Sequence, residues 1–157
     1  MENKQLLGEY ECKLDPKGRL RLPSALLARL GEAGQYRFVI NRGFEKCLML
    51  YPETIWQSIT LEVNQLNIYN KKNRDFVRYF YRGAQELETD SADRILLPKR
   101  LLEYAGIDKD IILSAYNGRI EIWSQEEYDR MLEEEPGDFS DLAEDVLGKL
   151  DNPHPNL

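Results

Sequence analysis

The sequence predicts an α+β fold made of two copies of one hairpin–helix–hairpin unit. Three observations carry the prediction. The stretch "LDPKGRLRLP" at residues 14–23 returns as "TDSADRILLP" at residues 89–98: Asp15 matches Asp90, Arg19 matches Arg94, and Leu22 and Pro23 match Leu97 and Pro98. The flanks repeat in step. Gly8 matches Gly83, Leu26 and Leu27 match Leu101 and Leu102, and Gly31 matches Gly106. "YRFVINRGFEKCLMLYP" is paralleled by "DIILSAYNGRIEIWS" with a three-residue deletion, and Trp123 and Tyr128 answer Tyr51 and Trp56. Around the first turn, apolar residues alternate with polar ones, the period of half-buried strands. Self-similarity of this length marks an internal duplication.

The elements follow in order. Tyr10, Cys12 and Leu14 alternate with Glu11 and Lys13, and after a turn Leu20 and Leu22 alternate with Arg19 and Arg21. In "DPKG", Asp15 caps its own turn, Pro16 presets φ and Gly18 takes the left-handed position. The expected element is a β-hairpin with Tyr10, Cys12, Leu14, Leu20 and Leu22 inward. Lys13, Arg19 and Arg21 then point outward, with Lys17 at the tip. A short helix follows Pro23, with Leu26, Leu27 and Leu30 as its stripe and Gly31 as its stop. Two strands surround a turn at residues 41–45. A helix starting near Pro52 presents Trp56, Ile59, Val63 and Leu66 on one face, and a second packs Phe76, Val77 and Phe80. The pattern then restarts. The expected boundaries are residues 1–52 for the first half, 53–82 for a helical linker and 83–132 for the second half. Residues 133–157 form an acidic end. There "FSDLAEDVLGKL" reads as an amphipathic helix using Phe139, Leu142, Val146 and Leu150, and the last seven residues read as disordered.

Composition narrows the function. The 157 residues carry a formal net charge of −7, but unevenly. Residues 121–157 hold twelve acids and two bases, a charge of −10, which leaves +3 on residues 1–120. A partner meets the local field within a screening length of about 8–10 Å, so the total does not exclude nucleic acid. The two cysteines, Cys12 and Cys47, lack C-x-x-C spacing and read as small apolar strand residues. One histidine, His154, supplies no zinc ligand set. No nucleophile sits in a catalytic setting and no glycine-rich phosphate loop occurs, so neither an enzyme, a cofactor nor a small-molecule substrate is expected. No apolar run has signal-peptide or membrane-span length, so a soluble, cytoplasmic protein with no membrane partner is expected.

With both D-x-x-x-R turns and both Leu-Pro–helix sequels in place, the chain resembles the MraZ family of bacterial transcriptional regulators. The residues that carry the resemblance are "GEYECKLDPKGRLRLP", "LMLYPETIW", "NKKNRDFVRYFYRGA" and "TDSADRILLPKRLLEYAG", spanning residues 7 to about 150. The resemblance implies a tandem AbrB-like fold: a swapped-hairpin, double-split β-barrel with two pseudo-symmetric halves and flanking helices. It also implies homo-oligomeric rings that bind short repeated sites in double-stranded DNA, upstream of their own gene and of the division and cell-wall gene cluster, usually to repress. That places the protein at the nucleoid. The chain departs from the family where glycine usually precedes the arginine of the second turn; Asp93 stands there.

On these grounds Lys13, Lys17, Gly18, Arg19 and Arg21 are the expected DNA-binding residues. The bases among them outweigh Asp15 by +3 over residues 13–21. A two-stranded ribbon fits the major groove, and the arginine fork matches guanine O6 and N7. Asp15, Asp90 and Arg94 are expected to structure their turns. Glu86, Glu88, Asp90 and Asp93 against Arg94 give the second unit −3, which repels DNA and suits a structural role or a neighbouring subunit. Lys71, Lys72 and Arg74 are candidate phosphate contacts on a helix whose other reading is a solvated face. The acidic end reads as a solubilising surface. The rival function is a ring-forming or antitoxin-like module whose basic hairpin meets an acidic protein.

Overall fold

The computed structural model describes residues 5–31, 34–134 and 137–148. Leu150 and the last seven residues, for which helix and disorder were expected, lie outside the described residues. The chain runs β1 (Gly8–Lys13), β2 (Arg19–Arg21), α1 (Ser24–Leu27), β3 (Arg37–Arg42), β4 (Leu48–Pro52), α2 (Glu53–Val63) and α3 (Lys71–Tyr81). The second copy continues with β5 (Gln85–Glu88), β6 (Arg94–Leu96), α4 (Lys99–Ala105), β7 (Asp110–Tyr116), β8 (Arg119–Ser124) and α5 (Gln125–Glu133), before α6 (Phe139–Gly148). The fold is α+β, as the two-copy reading predicts.

The copies are interlocked. A six-stranded antiparallel sheet has the order β1-β7-β8-β4-β3-β5, and β2 pairs only with β6 in a separate ribbon. The first strand of each copy therefore completes the β-hairpin of the other: β1 lies on β7, and β5 lies on β3. The centre of the sheet is the β4–β8 pair, where Met49 faces Glu121 and Leu48 and Leu50 face Ile122 and Ile120. Since Leu48 matches Ile120 and Leu50 matches Ile122 in the duplication, the pseudo-twofold passes between Met49 and Glu121.

The expected β-hairpin at residues 10–22 is corrected by this arrangement. Leu14 and Leu20 form a single bridge, and otherwise β1 and β2 leave the turn into different sheets. The alternation was real, but period two states which face a residue takes and is silent on the partner strand. The inward residues Leu14, Leu20 and Leu22 are buried as expected, whereas Tyr10 and Cys12 are only partly covered because β1 is an edge strand.

Both sheets share one core. Leu20 and Ile95 of the ribbon are fully buried together with Ile40, Leu48, Leu50, Leu113, Ile120 and Ile122 of the large sheet. The β7–β8 turn is Asn117–Gly118 with φ of 52° and 77°, the backbone pair that a two-residue hairpin needs to match strand twist. Aromatic pairs repeat with the copies: Tyr51 and Trp56 lie 5.3 Å apart, and Trp123 and Tyr128 lie 5.9 Å apart. The helix after Pro52 stops at Val63. Leu66 falls beyond it and stays exposed, whereas Phe80 of α3 is buried by stacking on Trp56 at 5.3 Å.

Cys12 and Cys47 are both free thiols. Cys12 sits in β1, but Cys47 is buried in the β3–β4 turn, one residue before β4. Burial, then the nearby Glu121 and Glu45 carboxylates, push the Cys47 thiol up to about 12. It stays protonated at neutral pH, which makes it a small apolar group and a poor nucleophile.

Candidate nucleic-acid interface

The two turns are built alike, atom for atom. In the first, Asp15 Oδ1 accepts from the backbone N–H of Lys17 at 2.9 Å and of Arg19 at 2.8 Å, and Oδ2 accepts from Arg19 Nε at 2.7 Å. In the second, Asp90 Oδ1 accepts from Ala92 N–H at 2.9 Å and Arg94 N–H at 3.0 Å, and Oδ2 accepts from Arg94 Nε at 2.9 Å. Backbone bonds close both loops, from Gly18 N–H to the Asp15 carbonyl and from Asp93 N–H to the Asp90 carbonyl, each 3.0 Å. Asp15 and Asp90 thus make matching contacts in the two turns, and Arg19 makes the same contact as Arg94.

Donation to the carboxylates stabilises their charged form. The backbone N–H of Arg19, followed by its side chain, holds Asp15 below the ordinary carboxylate range, and the backbone N–H of Arg94 does the same for Asp90. A lowered folded-state value contributes stability above the unfolded value of about 3.9 and loses it as pH falls through the lowered one. The double variant Asp15→Asn/Asp90→Asn should therefore melt below the wild type at pH 7. The difference should narrow as thermal unfolding is repeated at falling pH, as the wild-type carboxylates themselves take up protons.

Each turn is clamped by the other copy. Leu22 N–H donates to the Asp93 carbonyl, and Leu97 N–H donates to the Gly18 carbonyl, both at 2.9 Å. Gly18 sits at φ 84° and Asp93 at φ 60°, so the second turn keeps the left-handed position with an L-residue in it. Asp enters that region at lower cost than most side chains, which is how the turn survives the loss of glycine. Asp93→Gly should raise stability by about 1 kcal/mol or less, read as a higher thermal midpoint.

The structure divides the expected basic cluster into two. Lys13 and Arg21 line one shallow depression with Glu11 and Asp93, a mixed surface. Arg21 also faces Arg94 across the ribbon. Lys17, Gly18 and Arg19 form the other part. A Cβ placed on Gly18 would lie 3.8 Å from Leu96 and 3.9 Å from Leu102, so the tip rests against the start of α4. That contact brings in two bases that the sequence reading missed. Lys99 and Arg100, both exposed, follow two and three residues after Leu97, whose N–H holds the Gly18 carbonyl. They belong to the second copy, and the exchange of strands brings the segment just ahead of them onto the first turn. The swapped hairpins that the family resemblance implies were the signal that could have found them.

Arg19 is partly shielded by Asp15, with its side chain 30% exposed. Only Nε is engaged in the turn, and among the described residues its terminal nitrogens have no hydrogen-bond partner. The guanidinium is therefore oriented by its inner nitrogen while its outer edge stays available.

The candidate phosphate contacts on α3 separate as well. Lys71 pairs with Asp75 at 2.8 Å. Arg74 donates to the carbonyls of Ile68 and Tyr69 at 2.9 and 3.0 Å, fastening the α2–α3 connection, so its charge is spent locally. Lys72 is exposed. Of the acids in the second copy, Glu88 meets Arg37 at 3.3 Å on the same sheet face.

Among the described residues, no group of three or more His, Cys, Asp or Glu side chains could hold a metal ion. Within the same residues no helix is long and apolar enough to cross a membrane.

Comparison with known proteins adds to this geometry. The family model described as "MraZ protein, putative antitoxin-like" matches twice, over residues 5–79 and 80–149. The chain is 46% identical to a protein named Transcriptional regulator MraZ from Christiangramia forsetii, covering 93% of this chain and 95% of that one. It is 42% identical to the protein of the same name from Flavobacterium psychrophilum, covering 94% of each, and 38% identical to that of Desulforamulus reducens, covering 92% and 99%.

Proposed function

The chain belongs to the MraZ family, and from that premise we propose that it is a sequence-specific DNA-binding repressor working as a homo-oligomeric ring. The relatives' shared name supports transcription regulation as its role. The first turn supports DNA as the ligand: Lys17 is exposed at the tip, the Gly18 carbonyl is held by Leu97 just ahead of Lys99 and Arg100 in the chain, and the outer guanidinium nitrogens of Arg19 are unpaired among the described residues. That single arrangement carries the reading.

Mechanistically, the Asp15–Arg19 bond fixes the direction of the fork before DNA arrives, so little side-chain entropy remains to be lost on binding. The free edge of Arg19 suits guanine O6 and N7 in the major groove. Lys17, Lys99 and Arg100 suit phosphates, which position the protein without specifying sequence. Gly18 has no side chain to hold the backbone away from a phosphate. Lys13 and Arg21, sharing their depression with Glu11 and Asp93, contribute less. The second turn carries Asp93 where the first carries Gly18, and its part is to clamp the first turn from behind. A ring displaying several first turns would engage consecutive repeats, raising avidity by about 10²–10⁴ through effective concentration. The expected targets are repeats upstream of the protein's own gene and of the division and cell-wall cluster, at the nucleoid within the cytoplasm, with polymerase access blocked.

The test is fluorescence anisotropy with DNA from upstream of the protein's own gene against scrambled DNA of equal composition, in about 50 and 200 mM salt. Selective binding that weakens steeply with salt supports the reading. Equal binding to both DNAs removes it and favours the antitoxin-like alternative, in which the same turn meets an acidic protein.

A further inference from the structure

Two apolar surfaces on this chain have no partner among its described residues. The first is a groove of about 400 Å³ between the β3–β4 turn, α3 and α4. Arg42, Phe44, Met49, Phe76, Tyr79 and Tyr104 line it. Phe44 at the rim is 88% exposed and Tyr79 is 68% exposed. The floor is polar and incompletely satisfied: the Arg42 guanidinium lies 4.6 Å over the Tyr104 ring, and among the described residues neither Arg42 Nε nor Asn41 Oδ1 has a hydrogen-bond partner, although both are buried. Buried polar groups are rarely left so unless something else reaches them.

The second surface is helix α6. Phe139, Leu142 and Val146 recur at helical spacing on one face, with Leu147 beside them, and all four are exposed. Its other face carries Asp141, Glu144 and Asp145 with no base between Phe139 and Gly148. An amphipathic helix of this length draws its stability from burying such a face. The groove has the matching chemistry: aromatic walls for Phe139 and Leu142, Arg42 at its floor, and α3 beside it with the exposed bases Lys72 and Arg78. Acidic helix and basic aromatic groove are complementary in polarity and in charge, and among the described residues nothing buries the apolar face of the helix.

We propose that α6 of one copy seats in the groove of a neighbouring copy and is the contact that links subunits head to tail. This rests on the ring reading above. A head-to-tail contact uses two different patches of each subunit, so it propagates around a closed ring. The helix supplies Phe139 and Leu142 to the aromatic walls, and its acidic face stays outward, toward the exposed bases of α3 at the groove's edge.

The experiment is sedimentation velocity on the full chain. One variant disables the groove, Phe44→Ser/Tyr79→Ser. Another disables the helix, Phe139→Ser/Leu142→Ser. All four residues are exposed, so each variant keeps its core, and circular dichroism checks that it does. Each variant alone is expected to need roughly tenfold or more protein to assemble. Mixed one to one, the two are expected to form a heterodimer and go no further, because only one intact helix–groove pair remains. Wild-type mass in both variants overturns the proposal, as does a mixture that stays monomeric. A wild type that is itself monomeric overturns the ring reading with it, whereas an oligomer that neither variant disturbs overturns this contact alone.

Discussion

Arg19→Ala is expected to abolish selective binding to the upstream DNA, while Arg94→Ala leaves it largely intact. The two arginines make the same bond, Nε to the carboxylate four residues earlier, at 2.7 and 2.9 Å, so the two variants pay the same local structural penalty. They differ in what surrounds them. The Arg19 turn has glycine at its tip and is held by Leu97, which leads into Lys99 and Arg100, and the Arg94 turn has Asp93 at its tip. Loss of one bidentate base contact costs about 1–3 kcal/mol of discrimination, and a ring that uses several turns loses it at each one. Arg19→Lys separates fork from charge: it should keep the salt dependence and lose most of the selectivity. Lys99→Ala should do the reverse, weakening cognate and scrambled DNA alike and lowering the salt slope by about one. Equal losses at Arg19 and Arg94 in the anisotropy assay would reject the division of labour between the copies.

Leu20→Ala is expected to destabilise the whole chain by about 2–5 kcal/mol, and Leu50→Ala by a similar amount. Both side chains are fully buried in the shared core. A domain of ordinary stability holds about 5–15 kcal/mol, so either change removes a large fraction. The informative feature is where the loss appears. β1 is held by β7 and β5 by β3, so neither copy can retain its sheet when the other unfolds. Trp56 lies in α2 and packs on Tyr51 of the first copy, Trp123 lies in the second copy, and they report separately once each is replaced by phenylalanine in turn. Urea unfolding followed by either tryptophan, at one fixed protein concentration, should give coincident curves for the parent and for Leu20→Ala. Two separated transitions would mean that the copies fold as independent units.

Much of this was legible in the residues. The duplication showed in "LDPKGRLRLP" and "TDSADRILLP", because a turn that needs Asp at its start, a left-handed position and Arg at its end constrains residue types locally. Helix starts at Pro23, Pro52 and Pro98 and the stop at Gly106 were legible for the same reason: φ limits and missing donors act within a few residues. The buried set at Leu14, Leu20 and Leu22 followed from alternation alone.

Strand partners were not legible. A period of two is the same whether β2 pairs with β1 or with β6, and the choice depends on which pairing lets both ribbons cover one core. The β-hairpin expected at residues 10–22 failed on that point. The interface inherited the failure. Lys99 and Arg100 are 80 and 81 residues from Arg19 in sequence numbering, and the bond between Leu97 and Gly18 is what joins their segment to the first turn. Arg74 illustrates the converse, since it counts as a free positive charge until its donation to Ile68 and Tyr69 is seen. The sequence by itself determined the two copies, their turns and the family, because local sterics and hydrophobic period are written residue by residue. Tertiary structure alone decided which strands exchange, which charges stay available and which surfaces remain uncovered, because those follow from long-range pairing, whose energy no short stretch contains.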